Sequence, residues 1–375
     1  MTDPIITGLS SQLTARAGRY FPDLADRSVD AKVVWSSRRQ RSSLYRFALI
    51  AGDVRHDVLA KVTFERPSAQ VDRMTAMDPY RPRLVPPTAR EVKHEFEYRA
   101  AKAAHDHFEA AGDSRLTVVR PLDHLPELHA LVVEFVEETT LYDLIVQTSR
   151  LRPSSARPEL EPLFRCAGAW LRGFHAISAV AADPLRSTAD ELAAWFEEVT
   201  RFLAGATVAG NRPFARMRAV TSARIPELFA GGLPLALGHG DFAPRNIFAA
   251  PGGQIQVFDT LARYRVPVYE DLAHFRVALR TAALPMASFG LAFKPGQLER
   301  YERELVAGYF GDVAVPEAAL AVFDLLTLVE KWASVVVTPR TLEPRGRLSW
   351  TAYRALAEPQ FRRRARALVR TIEAA

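Results

Sequence analysis

His239-Gly240-Asp241-Phe242-Ala243-Pro244-Arg245-Asn246, HGDFAPRN, is the most informative stretch of this 375-residue chain. Glycine and proline shape a turn around two polar side chains, Asp241 and Asn246, which stand five positions apart. That spacing lets one tight loop present a carboxylate to a hydroxyl group and an amide oxygen to a hard cation. Thirteen residues later Asp259 ends the strand-like run QIQVF, so a second carboxylate arrives beside the same loop. Gly252-Gly253 supplies the hairpin turn between Asn246 and Asp259. An Asp and an Asn can also simply cap a turn, so their meaning depends on what else the chain offers.

Upstream, residues 29–64 read as three strands: VDAKVVWSS, LYRFALIA and HDVLAKVTF are rich in β-branched and aromatic residues. Gly52-Asp53 turns the second run into the third. Lys61 lies in that third strand, its stem flanked by apolar neighbours. Residues 65–87 lose periodicity and carry five prolines, which marks a loop. Thr88 with Glu91 three positions on is a capping-box signature, and REVKHEFEYRAAKAAHDHF continues as a helix. A glutamate on this helix is expected to pair with Lys61. Glu97 carries an apolar stripe on its side (Ala100, Ala101, Ala104, Phe108), whereas Glu95 has the polar neighbours Tyr98, Arg99 and Lys102 and stays open as the alternative.

LTVVRPL and ALVVEFV give two more strands, and beyond Thr140 the pattern turns helical except around IFAAPGGQIQVFD. The expected architecture is α+β and two-lobed. Residues 1–134, with 1–28 as a leading segment, form a small antiparallel sheet with one main helix, and residues 135–375 form a larger, mostly helical lobe. The crossover falls near 134–138, and such junctions are common ligand sites. Phosphoryl transfer requires an acceptor-orienting carboxylate, metal-holding oxygens and a cation on the nucleotide phosphates, and Asp241, Asn246, Asp259 and Lys61 supply these groups.

HGDFAPRN, the later Val257-Phe258-Asp259 and Asp271-Leu272-Ala273 together resemble the aminoglycoside phosphotransferase and choline kinase family, whose members share the protein-kinase-like fold. The resemblance spans residues 29 to 310, with its specific part between His239 and Ala273. It implies Asp241 as catalytic base, Asn246 and Asp259 as Mg²⁺ ligands, and Lys61 on the phosphates of ATP (or GTP), paired with Glu97. It also implies a hinge at Glu134 to Val136 holding the nucleobase, and His239 and Asp271 bracing the catalytic loop. Asp259 and Asp271 are only twelve residues apart, too close for an activation segment and its APE motif, which favours a small acceptor (a sugar, an aminoglycoside-like compound, an amino alcohol or a polysaccharide precursor) over a protein.

One departure concerns the connection between the first two strands, RRQRSS, which lacks glycine. There Arg38, Arg39 and Arg41 would grip phosphates, with Ser42 and Ser43 donating hydrogen bonds, or the segment is a solvated basic turn. A loop unable to hold phosphates would make the chain a non-catalytic kinase-like nucleotide- or ligand-binding module. The net charge of +6 and pI near 9.5 suit anionic partners. Much of it lies in FRRRARALVRTIE, which reads as an amphipathic closing helix with Phe361, Ala365, Leu368 and Ile372 inward and a solvated basic face, so no nucleic acid is expected. Cys166 reads as a packing residue, and His105 and His107 as solvated helix-end histidines. His175 is expected to pack toward the catalytic loop, and DELAAWFEE (190–198) as an amphipathic helix. With no signal peptide and no apolar run of membrane-spanning length, a cytoplasmic enzyme is expected.

Overall fold

The alternating runs at the start of the chain produce β1 (Asp30–Arg38), β2 (Ser42–Ala51) and β3 (Val54–Thr63), a continuous antiparallel meander in a computed structural model that describes residues 3–38, 42–63, 90–151, 158–207, 210–250, 253–337 and 344–375. The β2–β3 turn is the expected one, with Gly52 at φ 64°, a conformation that glycine adopts without a Cβ penalty. The proposed loop at 65–87 and the Thr88 cap lie outside the described residues. The expected helix runs as the longer of the first two, α2 (Arg90–Ala111), following α1 (Pro4–Tyr20). β4 (Leu116–Val118), β5 (Pro121–Leu125) and β6 (Ala130–Glu134) follow, and the first sheet has the order β1-β2-β3-β6-β5, antiparallel throughout.

The leading segment of the first lobe, residues 1–28, contains α1, which packs on the first sheet. Asp3 caps it by accepting from Ile5 N at 2.9 Å, and Pro4 occupies its first position. Leu9, Leu13, Ala17 and Tyr20 bury one face against the sheet core of Phe47, Leu49, Val58 and Val132. Asp123, at the β5 bulge, fixes the helix: its carboxylate accepts from Tyr20 Oη at 2.8 Å and Arg16 Nη1 at 2.7 Å, and also meets Arg19.

β4 leaves this sheet and pairs in parallel with a strand from beyond the catalytic loop. The second sheet, β4-β11-β10-β7, combines β7 (Thr139–Thr140), β10 (Ile247–Ala250) and β11 (Gln254–Val257). A third is made of β8 (Asp183–Pro184), β9 (Leu235–Leu237) and β12 (Tyr264–Pro267). The remainder is helical: α3 (Leu141–Gln147), α4 (Glu161–His175), α5 (Ala189–Ala206), α6 (Asn211–Leu228), α7 (Tyr269–Thr281), α8 (Ala283–Ala287), α9 (Gln297–Phe310), α10 (Glu317–Val337) and α11 (Pro344–Ala374).

Two cores support the helical lobe. One stacks Trp170, Phe164, Phe174, Phe242 and Phe275 beneath the catalytic loop, and Cys166 packs against it half-buried; the other joins α5, α6, α10 and α11 around Trp332, Phe214 and Phe361. The closing helix buries Phe361, Ala365 and Ile372 as its periodicity requires. Its basic face is not wholly solvated: Arg364 turns inward, 3.1 Å from Glu302, which Arg280 also holds by two bonds of 2.7 and 2.8 Å. No helix among the described residues is long and apolar enough to cross a membrane.

Candidate active site

The catalytic loop is built on a carboxylate beneath it. Asp271, in the first turn of α7, accepts from His239 N at 2.7 Å and from Gly240 N at 3.1 Å, and His175 Nε2 lies 3.2 Å away. His175 is held in turn by Tyr309, with Nδ1 2.8 Å from the phenol oxygen. Burial would raise the Asp271 pKa, but these donors and the histidines outweigh it and hold the carboxyl below its usual range. His239 is fully buried among Trp170, Phe174 and Phe242, and burial lowers its pKa. Its neutral Nδ1 is thus able to accept from Asp241 N at 3.3 Å. Gly240 sits at φ 82° with Leu261 against it, where a Cβ would approach Leu261 to 3.2 Å.

Above this base Asn246 Nδ2 donates to the Asp241 main-chain oxygen at 2.8 Å and to its Oδ2 at 2.9 Å. The five-residue spacing therefore closes on itself, and the Asn246 amide oxygen is the atom left to face a cation. The Asp259 segment is tied to the loop through the backbone, Phe258 N to Asn246 O at 3.1 Å and Leu261 N to His239 O at 2.9 Å. Asp259 itself adopts φ 61°, a left-handed geometry that aspartate tolerates better than most residues and that aims its carboxylate off the strand axis.

Lys61 links the two lobes. Its ammonium lies 3.0 Å from Glu97 Oε2 and also bonds Asp259 Oδ1. Burial opposes the Lys61 charge, but Glu97 and Asp259 outweigh it and raise its pKa; burial likewise pushes Asp259 up, and Lys61 more than reverses that. Glu97 is buried and also meets Lys93 at 3.2 Å, whereas Glu95 is half-exposed and faces Arg99. Asn246 and Asp259 offer oxygen donors on segments joined by the Phe258–Asn246 backbone bond, and oxygen is the donor type that fits Mg²⁺.

Other expected residues stand elsewhere. Ser42 and Ser43 open β2, paired to Thr63 and to Arg38 and Val62, so they belong to the strand itself; Arg39 and Arg41 lie outside the described residues. In the hinge, Glu134 N is bonded to Arg120 O at 2.9 Å and Phe135 N to Asp57 O at 3.0 Å. Among the described residues the Val136 N–H meets no protein acceptor, which leaves it for a ligand. A cavity of about 430 Å³ is lined by Glu134–Glu138, Arg120 and Gln256, but not by Lys61, Asp241 or Asp259, so it is distinct from the space at the catalytic loop.

Two residues that sequence reading did not single out contact Asp241, and a third lies within electrostatic range. Arg245 bonds its Oδ1, and His274 Nε2 lies 3.1 Å from the same oxygen. Burial would raise the Asp241 pKa, but His274 and Arg245 drive it far below the ordinary range. Lys331 of α10 is solvent-exposed; the protein packed around it and then the Arg245 charge lower its pKa, while Asp241 opposes them. Arg245 was inside the quoted motif, and His274 lies three residues past Asp271. Lys331 has no local signal.

The chain belongs to the phosphotransferase enzyme family, whose sequence pattern it matches over residues 70–281. It is a phosphotransferase of protein-kinase-like fold. Similar solved structures include a glucosamine kinase in complex with glucosamine, ADP and inorganic phosphate (TM-score 0.52, 18% identity, covering 96% of this chain and 86% of that one). A choline kinase from Cryptosporidium parvum is similar at TM-score 0.51 and 10% identity, covering 96% of each chain. A spectinomycin phosphotransferase in complex with ADP and spectinomycin gives 0.50 and 11% identity, over 97% of this chain and 98% of that one. A search of curated proteins returned no match.

Proposed function

We propose that this chain transfers the γ-phosphoryl group of ATP or GTP to a hydroxyl of a small molecule. The observation that carries the reading is the bridge of Lys61 to both Glu97 and Asp259 directly beside the closed Asp241–Asn246 loop. Lys61 would neutralise nucleotide phosphates once Asp259 turns to a metal. Asn246 and Asp259 would hold Mg²⁺, which supplies charge neutralisation for the phosphates. The free N–H of Val136 would anchor the nucleobase. Asp241 would accept the hydroxyl hydrogen bond and orient the nucleophile; with its pKa held so low it acts chiefly by positioning, and takes the proton only as the new bond forms. His239 and Asp271 keep the loop in place without touching substrate.

Neighbours of the same fold that hold ADP support a nucleotide donor, and the short gap from Asp259 to Asp271 supports a small acceptor. The gap holds β12 and the start of α7.

The test is phosphate transfer by Asp241→Ala with Mg²⁺ and ATP across sugars, amino alcohols and hydroxy acids. We expect kcat to fall by about 10²–10⁴-fold with nucleotide binding retained. Wild-type turnover in the variant would refute the role, and a wild-type chain without any Mg²⁺-dependent nucleotide binding would refute the reading and leave a non-catalytic module.

A further inference from the structure

Asp241 divides the site into two sides of opposite character. Its Oδ2 faces Asn246, on the side of Asp259 and Lys61 where nucleotide and metal belong. Its Oδ1 faces Arg245 and His274, with Lys331 within electrostatic reach of both Asp241 and Arg245. These three come from separate elements, the catalytic loop, α7 and α10. Arg245 and His274 are solvent-accessible, at 53% and 37% of their side-chain surface, so both are free to meet a ligand. Lys331 has no ion-pair partner among the described residues.

The neighbouring carboxylates do not offset this charge. Glu270 lies one helical turn before His274, and Glu330 adjoins Lys331, but both close on Arg186, which also packs over Trp195; the Trp195 indole donates to Glu330 at 2.6 Å. Glu270 Oε2 and Arg186 Nε stay without a hydrogen-bond partner among the described residues, but burial raises the Glu270 pKa to about 7, so Glu330 is the carboxylate that Arg186 chiefly neutralises. Asp241 is a single carboxylate set against Arg245 and Lys331, with His274 beside them, so this side keeps an excess of positive charge.

We propose that Arg245, His274 and Lys331 receive a negatively charged group on the acceptor, which is therefore an alcohol bearing a carboxylate or a phosphate. The proposal rests on the phosphotransferase reading above. A cationic acceptor would place its ammonium groups against these side chains and be repelled, whereas an anionic one draws Lys331 and Arg245 onto itself. Moving Arg245 to the ligand would also free Oδ1 of Asp241 for the hydroxyl.

The test is equilibrium binding of gluconate, glucose 6-phosphate, glucose and glucosamine to the full chain with Mg²⁺ and a non-hydrolysable ATP analogue. The measurements are made for wild type, Lys331→Glu, Lys331→Arg and Arg245→Gln. We expect at least one of the two anions to bind about 10-fold or more tightly than glucose, with glucosamine weakest. Lys331→Glu should abolish that preference and Lys331→Arg retain it, with Arg245→Gln intermediate. Which anion prevails identifies the charged group. Glucose or glucosamine binding as tightly as both anions, an unchanged ranking in Lys331→Glu, or no binding of either anion would overturn the proposal. Nucleotide binding in the same titrations is scored separately, so a failure of the kinase reading is recognisable by itself.

Discussion

One carboxylate, Asp271, organises the loop on which the chemistry depends, because it accepts two adjacent backbone N–H groups, those of His239 and Gly240. In Asp271→Asn one oxygen becomes a donor, so either a buried N–H or the His175 contact loses its acceptor. An unmet buried hydrogen bond costs about 1–3 kcal/mol, and each 1.4 kcal/mol misplaced at the transition state is about tenfold in rate. The expected outcome is a fall in kcat of about tenfold or more, with a smaller change in nucleotide KM, measured by steady-state kinetics. Asp241, Asn246 and Asp259 were legible as a set because the spacing of turn and strand residues is local. Arg245 was visible but unassigned, since nothing local says that its guanidinium folds back onto Asp241.

Between elements, α4 and α9 meet at two glycines. A Cβ on Gly168 would come within 2.0 Å of Leu305 O, and one on Gly308 within 2.0 Å of Arg165 O. These obstacles are backbone atoms, which cannot rotate away, so an added methyl must part the helices. Gly308→Ala is expected to destabilise by about 1–3 kcal/mol or more, read as a lowered midpoint in urea. Because α4 carries His175 and α9 carries Tyr309, the same variant should also lower kcat. Neither glycine announces this in the sequence, where both sit inside ordinary helical periodicity. The N-terminal helix is the opposite case: Asp3-Pro4 and the four-residue spacing of Leu9, Leu13 and Ala17 are local helix signals that the sequence does carry.

Across the whole molecule, α7, α9, α10 and α11 converge on buried charge. Glu302 is paired with Arg280 and Arg364, and although burial alone would raise its pKa, the arginines hold it at about 2. Its folded pKa lies below the unfolded carboxylate value, so the stability it confers is full above about pH 4.3 and is lost as pH falls toward 2. Glu302→Gln should lower stability by about 3 kcal/mol at pH 7 and flatten the acid limb of a melting-temperature profile. Asp324 is the counterexample. It lies 3.2 Å from Arg276, but burial dominates and lifts its pKa to about 6, so Asp324→Asn should cost markedly less than Glu302→Gln in the same melts.

The sequence by itself determined the strand meander, the Lys61 strand, the closed Asp241–Asn246 loop and the membership of a phosphotransferase family, because each depends on short-range spacing or backbone periodicity. Tertiary structure alone extended β2 back to Ser42 and Ser43 and brought His274 from α7 against Asp241. Those outcomes depend on which helix faces turn inward when distant segments pack. That packing is a property of the whole core, and no local pattern records it.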